Sequence, residues 1–167
     1  MIRVGLGRDL HRLVPGRRFL LGGIEVASDR GELGHSDGDV LTHAVIDAVL
    51  GAAGLGDIGE FFPPSDKAWK NADSLQLLKT AFSRVRQTGW ELVNLDCTVI
   101  CETPKILPYR DRIRVSLAGA LGLDDSAVFV KGKTNEGLGP LGEGLAVEAF
   151  AVCLLETRPP GLGPAVL

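Results

Sequence analysis

Residues 2–7 (IRVGLG) form a short β-branched run that predicts a first strand, breaking at Gly7 into a polar turn. Residues 19–26 place Gly22-Gly23 between apolar pairs, the pattern of a hairpin. The clearest element follows, with Ser36 or Asp37 as its N-cap. In DGDVLTHAVIDAVLGAA, Leu41, Val45, Ala48 and Ala52 share one stripe while Asp39, His43 and Asp47 share another, which predicts an amphipathic helix with a chemically rich polar face. Residues 57–71 keep no period and carry Pro63-Pro64, so they read as a long connection, a type of segment that is often functional. A second helix starts from Asp73, places Leu75, Leu78, Phe82 and Val85 at helical spacing, and stops at Gly89. Residues 90–101 alternate Leu95, Cys97, Val99 and Cys101 on one face of a strand. A third helix from about Pro108 packs Ile113, Leu117 and Leu121 before Gly122; residues 128–131 and 145–155 then read as strands separated by the glycine-rich EGLGPLGEG.

Strands and helices mix without strict alternation, which predicts an α+β fold: a mixed β-sheet with helices packed on one face. In the last strand Val147, Ala149, Ala151 and Cys153 alternate with Glu148, Phe150, Val152 and Leu154, so both faces are largely apolar and an oligomer would cover the second. One domain is expected over residues 1–156, with residues 157–167 a flexible tail.

Composition narrows the function. The 167 residues, 45% apolar and 23% charged, suffice for one self-supporting core. Cys97, Cys101 and Cys153 are odd in number and lie in apolar stretches, which points to buried thiols in a reducing cytoplasm. A net charge of −3 without a long basic run disfavours nucleic acid as a partner, and no apolar run reaches the roughly 18 residues of a membrane span.

Asp9-Leu10-His11 lies at the end of the first predicted strand, where i,i+2 spacing projects an oxygen and an imidazole nitrogen to one side. With His43 as a third ligand, the set suits a zinc site with one open position, and Asp39 or Asp47 would hold the second nitrogen of His43. The spacing also accommodates a turn-capping Asp9, a surface His11 and an ordinary helical His43. His35-Ser36 precedes the helix at the positive end of its dipole, as an anion site or a plain cap. In GKTNE (residues 132–136), Lys133 and Thr134 suit phosphate oxygens and Glu136 suits a hard divalent cation such as Mg²⁺, the alternative being a polar turn. A Walker A loop is excluded because Ala127 stands where its first glycine belongs. Gly5-x-Gly7 lacks the further glycine of a dinucleotide fingerprint. Residues 103–108, stiffened by two prolines, present backbone to a base edge or merely connect strand to helix. Asp57-Ile58-Gly59 binds hydroxyls or closes a turn.

Taken together, GRDLHRL, LGHSDGDVLTHAVIDAVLGAAGLGDIGEFFP, ADSLQLL, NLDCTVICETPKILP, VKGKTNEGLG and GEGLAVEA resemble the 2-C-methyl-D-erythritol 2,4-cyclodiphosphate synthase family of the non-mevalonate isoprenoid pathway, over the chain up to Glu156. The resemblance implies a homotrimer with a sheet-lined centre and active sites between subunits, and zinc on Asp9, His11 and His43. It implies a cytidine diphosphate ester of methylerythritol as substrate, whose 2-phosphate attacks the β-phosphorus and expels CMP. His35 and Thr134 would flank the reacting phosphates. Ser36, Asp57, Gly59, Phe62, Ser65 and Asp66 would hold the methylerythritol phosphate end. Pro104, Lys105, Ile106 and Leu107 would cradle cytosine, Lys133 and Asn135 would contact the nucleotide phosphates, and Glu136 would bind Mg²⁺ or Mn²⁺. The same ligand set would also serve a zinc phosphohydrolase or a trimeric metal-binding scaffold. One departure stands out: GLGPLGEG is about two residues shorter than in many relatives, with Pro140 at an aromatic position and no arginine, which argues against an isoprenoid diphosphate in the trimer centre.

Overall fold

The computed structural model describes residues 1–157. The tail expected over residues 157–167 lies outside the described residues from 158 onward. A five-stranded sheet is built from β1 (Ile2–Pro15), β4 (Arg30–Leu33), β5 (Trp90–Ile100), β6 (Val128–Lys133) and β7 (Ala146–Thr157), in the order β4-β1-β7-β5-β6. Only β5 and β6 are parallel, so the sheet is mixed. A separate ribbon pairs β2 (Leu20–Leu21) with β3 (Ile24–Glu25) across Gly22-Gly23, both at positive φ. The expected hairpin is therefore present, with a turn that only glycine enters easily at both positions.

Helices α1 (Val40–Ala53), α3 (Ser74–Gln87) and α4 (Arg110–Leu121) cover one sheet face; short helices α2 (Ile58–Phe61) and α5 (Gly139–Gly142) belong to the connections. The segment expected to be a long connection holds α2 and a 3₁₀ turn at Lys67–Trp69, started by the side chains of Asp57 and Asp66. The first strand does not break at Gly7. It continues to Pro15 because β7 pairs with it as far as Arg12 and β4 takes over from Arg12 to Pro15. Asp9 and His11 are consequently mid-strand.

Gly5 and Gly7 set the approach of α1. A Cβ on Gly5 would stand 1.9 Å from the carbonyl oxygen of Ala48, and one on Gly7 would stand 1.9 Å from that of Ala44. Two strand residues advance about 6.8 Å and one helical turn of four residues about 6 Å, so strand and helix stay in step. The next inward strand residue after Gly7 is Asp9, opposite the turn that carries His43. The pair of glycines is therefore a packing device for the site.

Helix α1 departs from the amphipathic expectation. Its N-cap is Asp39, whose side chain accepts from Thr42 N, and every residue from Val40 to Ala53 except Asp47 and Gly51 is buried. The helix lies between the sheet and α3, so its polar stripe faces protein and has to be satisfied there. On the opposite sheet face Ile2, Val4, Leu6, Phe129 and Val152 are exposed in the single chain.

Candidate active site

Strand β1 and helix α1 bring Asp9, His11 and His43 together. Oδ2 of Asp9 lies 3.0 Å from Nε2 of His11 and 3.0 Å from Nδ1 of His43. One ligand atom from each residue falls within 4.8 Å of the others.

The surroundings fix which nitrogen of each ring is free. Nδ1–H of His11 donates to the carbonyl of Gly38 at 2.7 Å, with Glu32 Oε2 at 3.3 Å, which leaves Nε2 for a cation. Nε2 of His43 lies 2.9 Å from both Ser36 Oγ and Ser74 Oγ. The Ser74 hydroxyl donates to Asp37 Oδ1 at 2.5 Å, so Nε2–H donates to Ser74 and Nδ1 keeps its lone pair. An oxygen and two nitrogens converging in this way fit a divalent cation with an open fourth position.

Asp39 and Asp47 do not hold His43, contrary to the sequence expectation. Fully buried Asp39 accepts from Gly22 N, Gly23 N and Thr42 N, tying the ribbon to the helix start, and Asp47 accepts from Ile58 N. Both carboxylates accept from backbone N–H groups instead. The open anion site expected ahead of the helix is also occupied: Val40 N donates to Glu32 Oε2 at 2.7 Å and Thr42 N to Asp39.

Charge coupling in the group is strong. Burial disfavours ionised Asp9, but the adjoining His11 and His43 rings outweigh it and hold the carboxyl well below its usual range. Burial likewise opposes charge on His11, yet Asp9 and Glu32 push it up to about 10. Without a cation, a charged His11 compensates Asp9, while burial pushes Glu32 up to about 8. Burial pushes Cys101 up to about 12 and Cys153 up to about 11, so neither offers a thiolate nucleophile.

The remaining candidates fall into two groups. His35, Ser36, Gly59 and Phe62 share a cavity of about 250 Å³ with Asp9, His11 and His43, and Trp69 stacks edge-on against Phe62 at 5.1 Å. Asp57 and Asp66 are not in that lining; they cap α2 and the 3₁₀ turn, accepting from Glu60 N and Ala68 N, and Ser65 is exposed. Lys105, Ile106, Leu107, Lys133 and Thr134 line a second cavity of about 390 Å³. Pro104 faces a neighbouring one with Thr103 and Arg30. Arg110 and Phe129, which sequence reasoning missed, also line the second cavity, with the guanidinium 5.4 Å from the ring centroid.

Beyond β6, the Thr134 hydroxyl donates to Glu136 Oε1 at 2.9 Å, while Asn135 is held by Glu102 Oε2 and the carbonyl of Leu138. Glu136 takes φ 52, an unusual conformation for a residue other than glycine. The two groups lie at the same end of the sheet without meeting in one chain. Asp9 pairs with Ala149, Ala149 with Val99 and Val99 with Gly132, so three strand spacings, about 14 Å, separate Asp9 from Gly132.

The chain is similar to known proteins over most of its length. Residues 2–156 match the YgbB family. A 2-C-methyl-D-erythritol 2,4-cyclodiphosphate synthase of Treponema denticola is 54% identical over 157 residues, covering 94% of this chain and 98% of that protein. The enzyme of the same name from Gloeobacter violaceus is 56% identical over 155 residues, 93% of this chain and 95% of the relative. Plasmodium falciparum IspF, solved as a CDP complex, superposes with a TM-score of 0.84 at 35% identity over 95% of this chain and 97% of its own. The bifunctional IspDF of Campylobacter jejuni superposes with a TM-score of 0.91 at 40% identity, 94% of this chain matching 42% of that longer one. On these matches, carried across residues 2–156, the chain belongs to the YgbB family.

Proposed function

We propose that the chain converts 4-diphosphocytidyl-2-C-methyl-D-erythritol 2-phosphate into 2-C-methyl-D-erythritol 2,4-cyclodiphosphate and CMP, a phosphorus–oxygen lyase step of cytoplasmic isoprenoid precursor synthesis. The observation that carries this reading is the convergence of Asp9, His11 and His43 on one point beside a small cavity. An oxygen of the 2-phosphate attacks the β-phosphorus, and the bond from that phosphorus to the bridging oxygen breaks. The electron pair leaves on CMP. Nucleophile and electrophile sit in one molecule, so the protein has to fold a flexible polyanion and stabilise charge; no protein nucleophile takes part.

Asp9, His11 and His43 hold zinc, which when bound supplies a Lewis acid for phosphate oxygens. His35 and Thr134 flank the reacting phosphates. Ser36, Asp57, Gly59, Phe62, Ser65 and Asp66 hold the methylerythritol end. Pro104, Lys105, Ile106 and Leu107 receive cytosine, and Lys133 and Asn135 contact the nucleotide phosphates. Glu136 holds Mg²⁺ or Mn²⁺ once those phosphates are present. The working form is a homotrimer, since the uncovered apolar sheet face needs a partner and the cytidine group of one subunit completes the metal group of the next.

His43→Ala is the test. His43 lies on the polar stripe of α1, so its removal spares the apolar contacts that hold the helix. The folded variant should lose both zinc and turnover. Stoichiometric zinc or undiminished turnover in that variant overturns the reading.

A further inference from the structure

We propose that Glu32 is a positioning residue for the cation at Asp9, His11 and His43, an inference that rests on the metal site proposed above. Glu32 sits on β4, opposite Leu13 of β1, and is wholly buried. Its Oε2 accepts from Val40 N at 2.7 Å and lies 3.3 Å from Nδ1 of His11. Its Oε1 has no hydrogen-bond partner among the described residues. The nearby Arg17 donates to the carbonyl of Glu32 and leaves the carboxylate alone. Among the described residues, His11 is the one basic group in contact with this carboxylate.

Capping the helix does not explain a carboxylate here. Asp39 already caps α1, and the Val40 N–H could be met by a neutral oxygen. A buried carboxylate is unfavourable unless a positive charge compensates it. A ring that carries a divalent cation on Nε2 supplies that compensation, and a carboxylate behind Nδ1 both fixes the ring and strengthens its donor nitrogen. Glu32 also sets the other acceptor of His11. A Cβ on Gly38 would stand 2.9 Å from the carbonyl oxygen of Glu32 and 3.1 Å from its Cβ, so the Gly38 backbone rests on Glu32 with its own carbonyl directed at Nδ1.

The experiment compares full-length wild type, Glu32→Gln and Glu32→Met after the metal has been stripped. Zinc affinity is measured by competition with a chromogenic chelator, and melting of the stripped proteins is followed in parallel. Glutamine keeps the shape and the acceptor for Val40, whereas methionine removes both acceptors. Affinity should fall by about tenfold for glutamine and towards a hundredfold for methionine. A purely structural role predicts the reverse: altered melting with zinc affinity within twofold of wild type, and that result overturns the proposal. If the methionine variant does not fold, the glutamine variant decides by the same criterion. Wild type that fails to bind one zinc per chain refutes the metal site itself, and the role of Glu32 with it.

Discussion

Ser74 Oγ stands 2.9 Å from Nε2 of His43 while its hydroxyl donates to Asp37 Oδ1 at 2.5 Å. A residue at the start of α3 thereby sets the tautomer of His43 on α1, and the three side chains act as one relay. Ser74→Ala leaves a buried ring N–H with only Ser36 and deprives Asp37 of a short bond. Hydrogen bonds to charged groups contribute about 1.5–3 kcal/mol, so the metal-free variant should lose stability of that order. Urea unfolding followed by circular dichroism checks this; an unchanged midpoint would show that the relay is not formed.

The helix–strand contact at Gly7 makes a second prediction. A methyl group there would stand 1.9 Å from a backbone oxygen that cannot move without displacing α1, whereas a methyl group on Gly51 meets nothing within 4 Å. Gly7→Ala should therefore lose about 3 kcal/mol or more and carry zinc affinity away with it. Gly51→Ala should gain about 0.5–1 kcal/mol as a plain helix substitution. Denaturant melts of the two variants should move in opposite directions, and equal small effects would contradict the packing described for α1.

The Asp9–His11–His43 group is readable because i,i+2 spacing on a strand puts Asp9 and His11 on one side, and because His43 falls on a polar stripe. What held them was hidden. Glu32 and Ser74 lie 21 and 31 residues from the histidines they touch, and no local period connects them. Asp39 was misassigned for a physical reason: its helical spacing to His43 is real, but its carboxylate is closer to the orphan donors of the Gly22-Gly23 turn and the helix start. Gly5-x-Gly7 lacks a dinucleotide fingerprint, and its packing role, admitting a helix, has no signal in the sequence. The second cavity, with Arg110 and Phe129 in its wall, escaped any spacing argument, since β5, β6 and the start of α4 come together only in the fold.

Glu136→Gln separates two metals. Zinc content should stay near wild type, because Glu136 lies beyond β6 and outside the Asp9–His11–His43 group. Turnover should fall on the order of a hundredfold, since losing a few kcal/mol of charge stabilisation reaches the departing CMP oxygen. Raising Mg²⁺ or Mn²⁺ should restore part of it. Zinc content and metal-dependent turnover measured on one preparation decide the point: unchanged turnover, or loss of zinc, refutes the role given to Glu136.

Leu6 tests the assembly. It is 67% exposed in the single chain, pairs with Val152 across β1 and β7, and points away from the helices. Leu6→Arg should keep the fold and release monomers in sedimentation equilibrium at micromolar concentration, with turnover lost as the shared sites come apart. A wild type that sediments as a monomer with full activity would contradict the shared site.

Phosphorus-31 NMR of the wild-type protein with 4-diphosphocytidyl-2-C-methyl-D-erythritol 2-phosphate, zinc and Mg²⁺ tests cyclisation most directly. Intramolecular attack yields CMP and a product whose two phosphorus nuclei are joined through one oxygen, so equimolar CMP should accompany a pair of mutually coupled diphosphate resonances. Attack by water would instead give CMP with two uncoupled monophosphate signals, and a metal-binding scaffold would leave the substrate spectrum unchanged. Either of those spectra contradicts the assignment of Asp9, His11 and His43 to a cyclising site.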